Sequence, residues 1–193
     1  EYLHRIRCIT SDKISIFTNT GTLHQIKVSD IPFGKLREKG TPIDNISRFD
    51  GGKEQIIYLD RGEALKGQTL LFATKQALVK QVLATEFETN NRTVAATKLA
   101  EGDELVFVMP VRGKRDVVLQ TDSGVFLRFL LEEIPLLKKT SKGVRGIKLS
   151  EGECLEALYL AEDQPVAVYK GKEIHLNRLK MAKRDGKGSK VRL

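Results

Sequence analysis

Val117-Val118-Leu119-Gln120-Thr121-Asp122-Ser123-Gly124-Val125-Phe126-Leu127-Arg128-Phe129 is a β-rich apolar run, a polar turn and a second β-rich run. Asp and Gly tolerate the positive φ that tight hairpins demand, so the stretch predicts an antiparallel hairpin. The pattern recurs. Ile14 to Ile26 turns at Thr18-Asn19-Thr20-Gly21, and Leu70 to Val82 turns at Thr74-Lys75-Gln76-Ala77. Val166 to Leu176 is a weaker copy around Lys170-Gly171. With Gly21 as anchor, the equivalents fall at Ala77, Gly124 and Lys172, in steps of 56, 47 and 48 residues. A period near 50 with a hairpin in each unit predicts a propeller-like all-β array.

Each hairpin is followed by a basic, Gly-containing segment: Lys35 to Gly40, Lys138 to Gly143 and Lys183 to Gly188, with only a vestige at Asn91-Arg92-Thr93-Val94 in the second unit. An acidic turn then precedes another β run, as at Glu101-Gly102-Asp103-Glu104 and Glu151-Gly152-Glu153. The fold expected is all-β, a pinwheel or propeller-like ring of about four blades built from ~48-residue repeats. The whole chain, 1–193, reads as a single domain, with repeats near 11–60, 67–110, 114–161 and 164–193. The run Tyr2 to Thr10 falls where a last strand would fall. It is expected to complete the fourth blade and close the ring, because closure removes two exposed sheet edges.

The composition excludes several classes. Apolar runs recur throughout the 193 residues, which argues against disorder, and no run reaches the ~18 residues of a membrane span. The start, Glu1 to Arg5, resembles neither an initiator Met nor a signal peptide and reads as part of a longer protein. Cys8 and Cys154 are expected to be buried, reduced thiols, and His4, His24 and His175 have no metal-ligand spacing. No phosphate loop or nucleophile elbow is present, so neither a catalytic nor a metal site is expected.

The charge points elsewhere. Lys and Arg number 33 against 25 Asp and Glu, a formal +8. Lys138, Lys139, Lys142, Arg145 and Lys148 stand together without an acid, and Lys180 to Leu193 holds six basic residues against Asp185 alone. Recurrence of a basic loop at one position of each unit places positive charge on one part of a ring. Glycines in these loops would let main-chain N–H groups approach phosphate oxygens. Nothing resembles a base-reading helix, and aromatics are 6%, which disfavours stacking on single strands. The partner expected is duplex DNA, bound through phosphates with little sequence preference. The candidate contacts are Lys35, Arg37, Lys39, Arg92, Lys138, Lys139, Lys142, Arg145, Lys148, Lys183, Arg184, Lys187, Lys190 and Arg192. The alternative is a β-propeller scaffold for protein partners, which would show an exposed apolar face in place of a basic rim.

The Thr-x-x-Gly hairpins, Lys-Gly segments and acidic Gly turns together resemble the C-terminal β-pinwheel of bacterial type IIA DNA topoisomerase A subunits, the gyrase and topoisomerase IV family. The resemblance spans essentially the whole chain. It implies a non-catalytic disc that binds and bends duplex DNA, with the cleavage tyrosine elsewhere in the A subunit. It also implies the rest of that subunit and the ATPase B subunit as partners, ATP and Mg2+ only in the full enzyme, and a bacterial cytoplasmic, nucleoid-associated setting. The gyrase box, Gln-Arg-Arg-Gly-Gly-Lys-Gly, has its nearest match in Ala182-Lys183-Arg184-Asp185-Gly186-Lys187-Gly188. Ala182 and Asp185 depart from it, which is more like topoisomerase IV or a diverged gyrase-like paralogue.

Overall fold

A computed structural model describes residues 3–191, and its regular structure is almost all β. The first unit contributes β1 (Lys13–Thr18), β2 (Thr22–Lys27) and β3 (Ile56–Arg61), then a single helical turn, α1 (Gly62–Leu65). The second contributes β4 (Thr69–Thr74), β5 (Leu78–Leu83), β6 (Thr93–Ala95) and β7 (Leu105–Pro110). The third contributes β8 (Asp116–Thr121), β9 (Val125–Leu130), β10 (Val144–Arg145) and β11 (Leu155–Leu160). The fourth contributes β12 (Val166–Tyr169), β13 (Lys172–His175) and β14 (Ser189–Lys190).

Four antiparallel hairpins, β1–β2, β4–β5, β8–β9 and β12–β13, form at the expected turns. Gly21, Ala77 and Gly124 each take positive φ and donate back to Thr18, Thr74 and Thr121 at 3.0, 2.9 and 3.0 Å. The fourth turn is tighter. Tyr169 pairs directly with Lys172, so positive φ falls on Lys170 and Gly171, and the fourth anchor is Gly171 instead of Lys172.

Three sheets have four strands, ordered β3-β1-β2-β6, β7-β4-β5-β10 and β11-β8-β9-β14. The first strand in each order, β3, β7 or β11, is the run after the acidic turn of its own unit. The fourth comes from the next unit: β6 pairs with β2, β10 with β5 and β14 with β9. Blades are therefore offset from sequence repeats, and each is latched by an arm from its successor.

Stacking of the blades makes the core. Along β4, Leu70 and Phe72 face one way and pack with Phe17 and Leu23, while Leu71 and Ala73 face the other and pack with Val117 and Leu119. On the far side of the third blade, Val118 and Phe126 meet Ala167, Ile174 and Leu176. A strand buried on both faces has no polar side to alternate with, which is why the inner strands read as continuous apolar runs.

Closure of the ring is not observed. Residues 3–10 form no strand and are mostly exposed, and β12 pairs only with β13 among the described residues. Tyr2 lies outside the described residues. The alternation in that run marks a face that a strand could bury, but no hairpin ties it to β12. Joining segments more than 150 residues apart also carries the loop-closure entropy that a tight turn avoids.

Candidate nucleic-acid interface

The three latching arms follow short 3-10 turns at Ala84–Phe87, Leu131–Glu133 and Leu176–Arg178. Each then crosses the second strand of the blade before it. Gln25 N donates to Arg92 O at 2.8 Å, Leu137 N to Gln81 O at 2.8 Å, and Ala182 N to Arg128 O at 2.8 Å. All three arms carry basic residues and occupy the same position on their blades, so the cations recur along one rim.

The last two arms are joined. Lys148 N donates to Gly186 O and Asp185 N to Gly146 O, at 2.9 and 2.8 Å. Arg145, Lys148 and Lys187 thereby line one open cleft of about 510 Å³ with Gln76, Ser150 and Glu153. Here the candidates from two separate loops of the sequence converge.

Other candidates are already engaged. Lys138 Nζ lies 2.8 Å from Glu86, and Lys139 Nζ donates to the Glu86 main-chain oxygen at 3.1 Å. Arg145 forms an ion pair with Asp185, the residue that departs from the box, and Arg92 reaches Asp30 at 3.4 Å. The hydrogen bond from Lys138 holds the Glu86 carboxyl below its ordinary range, and that from Arg145 does the same for Asp185. Arg184 is part of the scaffold: Nε donates to Glu133 O and Nη1 to Arg145 O, both at 2.7 Å. The guanidinium expected to meet phosphate is spent on main-chain carbonyls.

Lys142, Lys148, Lys183, Lys187 and Lys190 are exposed and carry no ion pair among the described residues. Arg192 lies outside them. Lys35, Arg37 and Lys39 are equally exposed, but their segment crosses no strand, and the neighbouring Phe33 and Leu36 stand in the open at 105% and 89% exposure.

Two glycines of the Lys-Gly segments are required by packing. A Cβ on Gly143 would lie 2.7 Å from Val79 O, and one on Gly188 would lie 2.8 Å from Phe126 O. Both have positive φ and let the arm pass over the preceding hairpin. Gly40, on the uncrossed segment, has nothing within 4 Å.

The acidic turns also have a structural task. Glu54 accepts from Thr18 and Thr20 of its own hairpin turn, Asp103 from Gln76 N, and Glu153 from Thr121 and Ser123. His24 is buried between Glu54 at 2.9 Å and Thr93 at 3.1 Å. Cys8 is an exposed free thiol, contrary to the expected burial, and Cys154 is a half-buried one.

The candidate set omitted one recurring position. Arg48-Phe49, Lys98-Leu99 and Lys148-Leu149 each place an exposed cation before an apolar residue and ahead of the acidic turn. Only Lys148 stood out, because the adjoining acids cancel Arg48 and Lys98 in a count of local charge.

A family model described as the DNA gyrase C-terminal domain, β-propeller, matches residues 68–112 and 115–160. Each match runs from an inner hairpin through the arm to the outer strand. The DNA gyrase A subunit of Lawsonia intracellularis is 32% identical over 182 residues, which is 90% of this chain and 22% of that protein. Its Staphylococcus epidermidis counterpart is 30% identical over 192 residues, 94% of this chain and 21% of that protein. The chain thus spans about a fifth of the length of these relatives. The C-terminal domain of DNA topoisomerase IV superposes with a TM-score of 0.88 at 24% identity, covering 98% of this chain and 61% of that one.

Proposed function

Because the chain belongs to the family of C-terminal β-pinwheel domains of type IIA topoisomerase A subunits, we propose that it binds and bends duplex DNA along its arm rim. It does so as a non-catalytic part of such an enzyme, with the rest of the A subunit and the B subunit as partners. The observation that carries this reading is the joining of the last two arms, which sets Arg145, Lys148 and Lys187 around one open cleft. Cations spaced along a curved rim neutralise phosphates without touching base edges, so the selectivity expected is for deformable duplex over sequence. Neither cleavage chemistry nor a resident cofactor is assigned to this domain. ATP and Mg2+ belong to the full enzyme.

The test is fluorescence anisotropy of a labelled random-sequence duplex over a salt series. Neutralising ~5–8 phosphates gives a log–log slope of about −4 to −7. A flat salt response, or a preference for single strands, would overturn the reading.

A further inference from the structure

Lys80 is 1% exposed, on the second strand of the second hairpin, opposite Phe72. Its Nζ donates to three main-chain carbonyls of the arm that crosses it: Lys138 O at 3.2 Å, Lys139 O at 3.1 Å and Ser141 O at 2.7 Å. The Phe72 ring lies beneath it, 5.6 Å from Nζ to the centroid. A buried ammonium is expensive unless its donors are filled, and here all three are filled by one loop. That loop presents Lys138, Lys139 and Lys142.

The fold itself does not call for a cation at this position. In the third hairpin the same register is occupied by Leu127, opposite Leu119, and the last arm crosses that blade without an ammonium beneath it. In the first hairpin it is His24, opposite Ile16 and bonded to Glu54 and Thr93. A charge that a leucine can replace elsewhere in the same framework is retained for something specific to its own arm.

We infer that Lys80 is a positioning residue: it gathers three carbonyls of the 138–141 turn and so holds the Lys138, Lys139 and Lys142 side chains on the rim, where they meet the DNA backbone. Glu86 works from the other side of the same turn, accepting from Lys138 Nζ and Lys139 N. The turn is thus fixed between a cation below and a carboxylate beside it. The inference rests on the proposed DNA-binding function, through which its effect is read.

The test uses the 193-residue chain, a labelled random-sequence duplex and the salt slope of binding. Lys80→Met fills the volume as Leu127 does in the third blade, and Lys80→Gln keeps two donors should the Met variant fail to fold. Either variant, with its β spectrum retained, is expected to lower the magnitude of the slope by about 1–3, because each phosphate left unneutralised subtracts roughly one unit. A purely structural role is separated by a double-mutant cycle. On a background of Lys138→Ala, Lys139→Ala and Lys142→Ala, the Lys80 substitution should change the slope no further. On a background of Lys183→Ala and Lys187→Ala, its effect should appear in full. If the parent chain binds and the folded Lys80 variant keeps its slope, or shifts it equally on both backgrounds, the positioning role is wrong while the DNA reading stands. If the parent chain shows no salt-dependent binding, the DNA reading itself fails and this inference with it.

Discussion

The guanidinium of Arg184 donates to the main-chain oxygen of Arg145 at 2.7 Å, so a residue of the last arm is fastened to the arm before it. Its Nε holds Glu133 O, and its main-chain nitrogen donates to the Glu133 carboxylate at 3.0 Å. Arg184→Ala should therefore destabilise the domain by about 1–3 kcal/mol, since the carbonyls it holds lose charge-assisted donors. Lys187→Ala removes an exposed cation from the same arm and should change stability by less than ~0.5 kcal/mol. Urea denaturation of the two variants side by side checks this.

The exposed cations should show the opposite pattern. Replacing Lys148, Lys183 and Lys187 together by Ala should leave the unfolding midpoint nearly unchanged and reduce the salt slope of DNA binding by up to ~3. Adding Lys98→Ala should reduce it again, by up to ~1. Anisotropy at several salt concentrations separates these outcomes from a general loss of affinity.

Asp185 is ion-paired with Arg145, so under the proposed DNA binding it would compete with phosphate for that guanidinium. Asp185→Asn keeps a side chain suited to the positive φ of 66° at this position and removes the competing charge. DNA binding at low salt should strengthen several-fold, with a slope steeper by up to ~1. Unchanged binding would mean that Arg145 faces no phosphate.

Burial lowers the Lys80 amine to about 8, from 10.5 for an ordinary lysine, against the weaker opposing pull of Glu86. Between these two values the unfolded chain holds the proton and the folded chain has released it. Stability contributed by this group therefore rises with pH across that window. From pH 7 to 9.5 the parent chain should gain roughly 1–3 kcal/mol relative to Lys80→Met. Chemical denaturation at the two pH values measures the difference. Glu153 behaves in the acid range. Its burial acts to raise its pKa, but hydrogen bonds from Ser123, Ser150 N and Thr121 outweigh this and hold it below the ordinary value. Its contribution is present above the unfolded pKa and lost as pH falls through the folded one, so Glu153→Gln should flatten the acid limb of the stability curve.

Gly188 has a φ of 69° and would place a Cβ against Phe126 O, so Gly188→Ala should destabilise the domain by about 1–3 kcal/mol. Gly40→Ala, with open space around it, should be close to neutral in a thermal melt.

The hairpins were legible because local chemistry writes them: Thr18 to Gly21 and Thr121 to Gly124 can hardly be anything but turns. Ala77 was found only by periodicity, and the fourth anchor slipped by one because Lys170-Gly171 makes a shorter turn. The latching of one blade by the next was not legible. β10 and β14 are two residues long, and pairing of Val144 with Val79 leaves no mark on either stretch alone. The basic loops were visible as charge, but which cations are free depends on acids brought from afar, such as Glu86 to Lys138 across 52 positions. The glycines were read for phosphate approach, and the demand that a neighbouring strand places on Gly143 and Gly188 was not legible. Such interactions belong to the packing of whole blades, and no window of sequence contains both halves.

The borrowed fourth strand also sets an order of assembly during synthesis. β2 ends at Lys27, but its outer neighbour β6 is not made until Thr93 to Ala95 have been joined to the chain. At ~5–20 residues per second, the first blade waits several seconds with one edge bare. The same delay recurs for β5, which waits for Val144, and for β9, which waits for Ser189. A nascent chain of this kind always trails one unfinished sheet behind the last hairpin to emerge. A pause within an arm would prolong that exposure, whereas a pause just after β6 or β10 would leave a finished blade behind it.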